Sequence, residues 1–297
     1  MNSKMNQGGK LIILVLLGML LSIFPKKITG QPLYIAYTTN LNCNLEACYC
    51  GGNQLGGMIQ LVGAIDSLRS RHPDLILLDS GDFMNSYPLT EGNHLMIDLM
   101  KDFRYDAIGL GEQEFIEGAP FLINAYLDGD IPLVSANVSI QSDKLKHFPP
   151  YLIMERGMKK VGVISVLFPE VYDPFFSSNV QAESPIAVLD KYLNTIRAEV
   201  DVLILLCHGS YDSGNKMAER FPQIDLVIAG HTQEREAIQK NSQLIVQAGR
   251  DGEYLGFVSI NWKDDEKQFS NSFLPIDLRY GINYSMKNKI DQYYQRY

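Results

Sequence analysis

The sequence predicts an α/β fold, and three features predict it. Short apolar runs rich in Val, Ile and Leu recur between residues 33 and 249, most of them breaking off at a Gly, Asp, Glu, Asn or His. Such a run is a strand buried on both faces, as in a parallel sheet covered by helices. Segments with helical apolar spacing alternate with these runs. Finally, two near-identical phrases, DVLILLCH ending at His208 and DLVIAGH ending at His231, flank a single helix. In open α/β sheets, ligands bind at the carboxyl ends of the strands. One histidine at such an end simply terminates a strand; two in parallel contexts lie on one rim, in a metal-site or acid–base arrangement.

The elements follow in order. A first strand, Leu33 to Thr38, runs into a loop from Asn40 to Gly57 that carries three of the four cysteines. Apolar residues at Met58, Ile59, Leu61, Val62, Ile65 and Leu68 mark a helix ending near Arg71. Leu75 to Leu78 is a buried strand that breaks at Ser80-Gly81-Asp82. Leu95 to Phe103 is helical, and the strand Tyr105 to Leu110 ends in Gly111-Glu112-Gln113-Glu114. Ala119 to Leu127 is a helix, Ile131 to Asn137 and Lys160 to Val166 are strands, and Ser184 opens a helix running to Glu199. After the two histidine strands come Leu244 to Gly249 and Tyr254 to Trp262, where polar and apolar residues begin to alternate, as in antiparallel strands with one wet face. Asn283 to Tyr297 is a peripheral helix.

With 297 residues, 46% of them hydrophobic, the chain can bury a large core as one domain over residues 31–297. Its 26 basic against 34 acidic residues give a net charge of −8, and no basic run is present, which argues against a nucleic-acid surface. Lys4 and Lys10 precede an apolar segment from Leu11 to Phe24, with Gly30 at a plausible cleavage point before Gln31. This pattern predicts a secretion signal over residues 1–30, too short to span a membrane comfortably, and an exported protein, periplasmic or extracellular. Ile28 is an imperfect residue before a cleavage site, so an uncleaved amino-terminal membrane anchor is the alternative. No further membrane span is expected.

The polar strand ends converge. Asn40, Asn42, Asp82, Glu112, His208 and His231 all follow strands and can share one rim. Singly, Gly81-Asp82 reads as a turn and Glu112 as a helix-start acid; together, two carboxylates and two imidazoles form a competent set for Zn, Mn or Fe. His72, His94 and His147 fit no such spacing. Asp79 and Ser80 are expected to shape the turn.

This order of motifs resembles the calcineurin-like metallophosphoesterases, in the 5'-nucleotidase and UDP-sugar hydrolase branch. It is carried by Gly81-Asp82, Gly111-Glu112-Gln113-Glu114, His208 and Gly230-His231-Thr232-Gln233, with Leu55-Gly56-Gly57, Ser135-Ala136-Asn137 and Gln247-Ala248-Gly249 in support, and covers Leu33 to Trp262. The resemblance implies a four-layer αββα sandwich, two mixed sheets flanked by helices. It also implies a phosphoester hydrolase holding two metals bridged by Asp82. The chain departs from that pattern: Asn40 and Asn42 stand where the family has Asp and His, Glu112 where it has Asn, Gln113 and Gln233 where it has His. One metal site, Asp82, Glu112, His208 and His231, retains four residues able to ligate. The other, Asn40, Asn42, Asp82 and Gln233, is mostly neutral amide, a weak ligand class. One divalent ion per chain is therefore expected. Gln113 cannot shuttle a proton as His would, so activity is expected to be reduced or altered.

Asp82, His208 and His231 are the expected catalytic residues, with Asn137 (or Asn40) orienting the phosphate of a small phosphorylated substrate. The family's longer enzymes carry a further carboxy-terminal domain over the nucleotide; its absence before Tyr297 would leave substrate identity open. Cys43, Cys48 and Cys50 admit a disulfide, thiolate metal ligation with or without Cys207, or inert thiols. Two other functions stay in view: a non-catalytic metal- or anion-binding module on the same fold, and a thiol-centred redox or sulfur-compound role for the cysteine loop.

Overall fold

The structure, a computed structural model, describes residues 31–47, 54–129, 131–171 and 179–297. The signal reading of residues 1–30, and Cys48 and Cys50 of the loop, fall outside them. In the first half, β1 (Leu33–Thr38), β2 (Ile76–Asp79), β3 (Ala107–Gly109) and β4 (Leu133–Val134) alternate with α1 (Met58–Arg71), α2 (Thr90–Phe103) and α3 (Ala119–Gly129). Then follow β5 (Val138–Ile140), β6 (Tyr151–Arg156), β7 (Lys159–Leu167), β8 (Val180–Ala182), α4 (Pro185–Arg197), β9 (Val202–Gly209), α5 (Tyr211–Arg220) and β10 (Leu226–His231). The chain closes with β11 (Arg235–Lys240), β12 (Gln243–Ala248), β13 (Tyr254–Lys263), β14 (Glu266–Pro275) and α6 (Tyr284–Arg296).

Two six-stranded mixed sheets result, in the orders β14-β13-β1-β2-β3-β4 and β11-β12-β10-β9-β7-β6, with β5 and β8 forming a small separate pair. Strands β1 to β4 are parallel neighbours, as are β7, β9, β10 and β12; β13, β6 and β11 join antiparallel. Side-chain alternation along a strand divides the core into three layers. Ile35 and Tyr37 of β1, Ile204 and Leu206 of β9 and Ile228 of β10 fill the space between the sheets. Ala36 and Leu77 face α1, α2 and α6 on the outer side of the first sheet. Leu203, Leu205 and Val227 face α4 and α5 on the outer side of the second. This is the four-layer αββα sandwich. Each fully buried Leu or Ile contributes about 1.5–3 kcal/mol, and β9 is buried along its whole length.

Strands β6, β11 and β14 have no clear sequence signal. They are half exposed, and runs such as Arg235-Glu-Ala-Ile-Gln-Lys carry too few apolar residues to show a period. Helix α2 begins at Thr90, five residues before the predicted start. Its first turn is anchored from afar: the Glu117 carboxylate accepts bonds from Leu89 N at 2.7 Å, Thr90 Oγ1 at 2.9 Å and Asn93 Nδ2 at 2.9 Å. A cap 27 residues distant in sequence leaves no local signal. Strand β4 is shorter than predicted, because Ser135 to Asn137 leave the sheet to pair with Pro149, Ser165 and Leu167.

Candidate metal centre

His208 continues the alternation of Ile204 and Leu206, so its ring enters the space between the sheets. His231 would by the same alternation face α5. A register irregularity prevents that: Gly230 pairs with both His208 and Gly209, and His231 takes a φ of 81°. The bulge re-aims His231 toward the same side as His208. Their rings lie 5.7 Å apart, edge to face.

The first sheet supplies the acids. Asp82 follows β2 in a tight turn with φ 61°, after Gly81 at φ 93°. Asp79 Oδ1 accepts the Gly81 N–H at 2.8 Å, so Asp79 shapes the turn as expected. Its own carboxyl is pushed up to about 7 by burial, against bonds from Thr38 and Gly81. Glu112 follows β3 and reaches both imidazoles: Oε2 lies 2.9 Å from His208 Nε2 and Oε1 lies 3.0 Å from His231 Nδ1. Asp82 Oδ2 is 3.3 Å from His208 Nε2. Asp82, Glu112 and His208 are buried, while the His231 side chain is 34% exposed and faces solvent.

Four further residues, to which the sequence assigns no role at the site, hold this cluster. The Ser80 carbonyl sits 2.7 Å from His208 Nδ1, so Nδ1 carries the proton and Nε2 faces the two carboxylates. Glu114, fully buried, accepts backbone N–H bonds from Asp82 at 3.0 Å, Phe83 at 2.9 Å, Met84 at 3.3 Å and Gly111 at 2.6 Å. Burial and the charge of Asp82 push its pKa up to about 8. The N–H donors of Asp82 and Gly111 favour the ionised form and offset part of that rise. Glu114 thereby ties the Asp82 turn to the Glu112 turn. Gly111 and Gly230 keep the space open: a Cβ on Gly111 would lie 2.2 Å from Asp82 Oδ1, and one on Gly230 would lie 2.8 Å from His208 Nδ1.

The electrostatics are those of a site made for a cation. Burial alone would lower the His208 pKa, but Asp82 and Glu112 outweigh it and raise it well above the ordinary imidazole value. Burial raises Asp82, with His208 offsetting part of the shift. Burial opposes ionisation of Glu112 as well, yet bonds from both histidines hold it below the usual carboxylate range. One ligand atom from each of Asp82, Glu112, His208 and His231 lies within 4.8 Å of the others. A first-row ion with bonds of about 2.0–2.2 Å is spanned by such a set. Two carboxylates and two imidazoles, one fixed by its Ser80 bond, fit a borderline divalent cation.

The amide residues flank the quartet. Asn40 Nδ2 donates to Gly249 O at 2.9 Å, and its Oδ1 accepts the His231 N–H at 2.7 Å. Asn42 Nδ2 donates to Asp251 Oδ1 at 2.8 Å. Gln113 donates from Nε2 to Asn42 Oδ1 at 3.2 Å and to Asp82 Oδ2 at 3.1 Å, and from its backbone to Asp82 Oδ1 at 3.2 Å. Gln233 follows the His231 turn, half-buried, with φ 60°. Asn137 does not touch the quartet. Its amide grips Leu167 N and O and Glu183 O, and so fixes the strand end that pairs with His208.

Neither described cysteine belongs to the quartet. Cys43 is buried, its Sγ 3.4 Å from Gly92 O, and burial pushes its thiol up to about 12. Cys207, next to His208 in sequence, points the opposite way into the helix-side core, because neighbours on a strand alternate faces. It is therefore not beside the quartet. Of the eleven non-glycine residues with positive φ among the described residues, seven (Asn40, Asn42, Cys43, Asp82, His231, Gln233 and Asp251) lie in the loops around the site. Strain of this kind concentrates at functional sites.

No family model matches the chain. It is 27% identical over 273 residues to the snake venom 5'-nucleotidase of Crotalus adamanteus, covering 81% of this chain and 45% of that protein. Human 5'-nucleotidase is 25% identical over 292 residues, covering 84% of this chain and 50% of its own length. The chain thus spans about half the length of the curated relatives it matches. Among solved structures, the 5'-nucleotidase precursor of Thermus thermophilus superposes with a TM-score of 0.80 at 22% identity, over 89% of this chain and 59% of that one. In its sequence relatives and in its fold, this chain resembles the 5'-nucleotidases among the calcineurin-like metallophosphoesterases.

Proposed function

We propose that the chain is a metal-dependent phosphoester hydrolase, of reduced or altered activity, that works with one divalent ion held by Asp82, Glu112, His208 and His231. The observation that carries this reading is the convergence of those four side chains, two from each sheet, within 4.8 Å. A Zn, Mn or Fe ion bound there would supply Lewis acidity to a phosphoryl oxygen and to the attacking water. The protein's own contribution is positional. Ser80 holds His208 with Nε2 toward the ion, Glu114 holds the Asp82 and Glu112 turns together, and His231, half open to solvent, lies where substrate enters. Gln113 cannot deliver a proton to a leaving group, and loss of one positioned acid typically costs about 10²–10⁴-fold.

A small phosphorylated molecule is the substrate class this reading takes, in keeping with the printed names of the relatives. Export, as the charged and apolar residues 1–30 suggest, fits the venom origin of one relative. No helix among the described residues is long and apolar enough to cross a membrane. The test is metal content of chelator-free protein, followed by turnover of an aryl phosphate and an aryl phosphodiester with added Mn or Zn. One ion per chain with turnover that Asp82→Ala abolishes supports the reading. Turnover that survives Asp82→Ala, or no ion retained after soaking, overturns it.

A further inference from the structure

We propose that Asn42 and Gln113 form a hydrogen-bonded amide lattice that, beside the separately bonded Asn40, takes the place of a second cation, keeps the centre mononuclear and makes Gln113 a positioning residue for Asp82. This inference rests on the single-ion reading above and adds to it the means by which the second position is closed.

Each amide is held in one orientation by partners of known polarity. Asn40 Nδ2 must face the Gly249 carbonyl, which leaves Oδ1 to the His231 N–H. Asn42 Nδ2 must face the Asp251 carboxylate, which leaves Oδ1 to Gln113. Gln113 Nε2 sits between Asn42 Oδ1 and Asp82 Oδ2, both acceptors, so turning that amide over would set oxygen against oxygen. As oriented, Gln113 Oε1 is shielded and has no donor among the described residues. The lattice therefore runs from carboxylate to carboxylate, Asp82 to Gln113 to Asn42 to Asp251.

Two consequences follow. The oxygens of Asn40 and Asn42, which a second ion would need, already receive N–H groups. Coordination there would strip those donors of their partners, for the sake of neutral, weak ligands. Gln113 also grips both oxygens of Asp82, Oδ1 through its backbone and Oδ2 through its side chain. It sets the plane of that carboxylate, as partners of ligating groups do. Asn40 performs the matching task for His231, holding its backbone N–H. Gln113 of the lattice and the separate Asn40 thus each steady one residue of the quartet.

The experiment titrates the full chain with Mn2+, reading affinity and stoichiometry by calorimetry and the bound ion by electron paramagnetic resonance. Wild type is expected to take one Mn2+ per chain and to show an isolated-ion spectrum at every loading. Gln113→Ala and Asn42→Ala, each checked for native circular dichroism, are expected to weaken that one site about 10–100-fold without changing the stoichiometry. A second equivalent taken up by wild type, with an exchange-coupled spectrum, overturns the lattice as a substitute for a cation. Wild-type affinity in both variants overturns the positioning role. No Mn2+ bound by wild type overturns the single-ion reading itself, and the inference with it.

Discussion

The state of one imidazole decides how this centre behaves. His208 donates from Nδ1 to Ser80 O and turns Nε2 toward two carboxylates. Without an ion, a proton on Nε2 is the remaining bridge, which is why its pKa lies well above the ordinary value. A group with a raised folded pKa stabilises fully below its unfolded pKa, and that contribution is lost as pH rises through the folded value. Glu112 has the opposite sign: its depressed pKa stabilises above the ordinary carboxylate range, and the benefit is lost on acidification. Metal-free protein should accordingly be most stable in the mildly acidic to neutral window between those losses. A metal must displace the Nε2 proton, so binding at about pH 7 should release about one proton and weaken as pH falls. Calorimetry in buffers of different protonation enthalpy measures this directly. Binding with no proton release would mean that His208 is neutral in the free protein.

At the scale of elements, the strand ends that deliver the candidate ligands are legible, because β2, β9 and β10 are unbroken apolar runs with a sharp polar stop. The same pattern does not separate the two histidines. His208 reaches the site by simple alternation, whereas His231 reaches it only through the bulge at Gly230. Nothing in DLVIAGH announces that irregularity. Glu114 is likewise invisible as an organiser: its four partners are backbone groups, and backbone hydrogen bonds leave no mark on residue identity. The Glu117 anchor of α2 and the Asp251 end of the amide lattice depend on contacts 24 to 209 residues apart in sequence. The bulge itself can be tested. A Cβ at position 230 would enter between His208 Nδ1 and the Ser80 carbonyl, at 2.8 and 2.9 Å. Gly230→Ala should cost about 1–3 kcal/mol, as overpacked sites do, and should weaken metal binding at least about tenfold because His208 loses its orienting bond. Denaturant unfolding and a Mn2+ titration read the two effects separately; unchanged metal affinity would remove Ser80 from the account of how His208 is aimed.

For the whole molecule, the centre is a joint between two sheets. Asp82 and Glu112 come from the ends of β2 and β3, His208 and His231 from β9 and β10, and the shared apolar layer brings those ends together. Burying two carboxylates beside two imidazoles is costly unless the charges are compensated. In the free protein that compensation comes from the His208 proton and from the lattice N–H groups on Asp82. A divalent ion would do it more completely and would tie one sheet to the other. Ligand linkage then sets the size of the effect: at about one hundred times Kd, binding adds about 2.7 kcal/mol. For a chain of this size that is a rise in Tm of roughly 4–5 °C. His231→Ala removes the ligand nearest solvent from the second sheet while leaving the three buried ones, so it should retain the fold and lose most of the metal-dependent rise. Thermal melts with and without Mn2+, at several concentrations, give both quantities. A rise equal in wild type and variant would mean that the ion sits elsewhere and that His231 serves the cleft without ligating; a rise confined to wild type would mean that the two sheets share one ion.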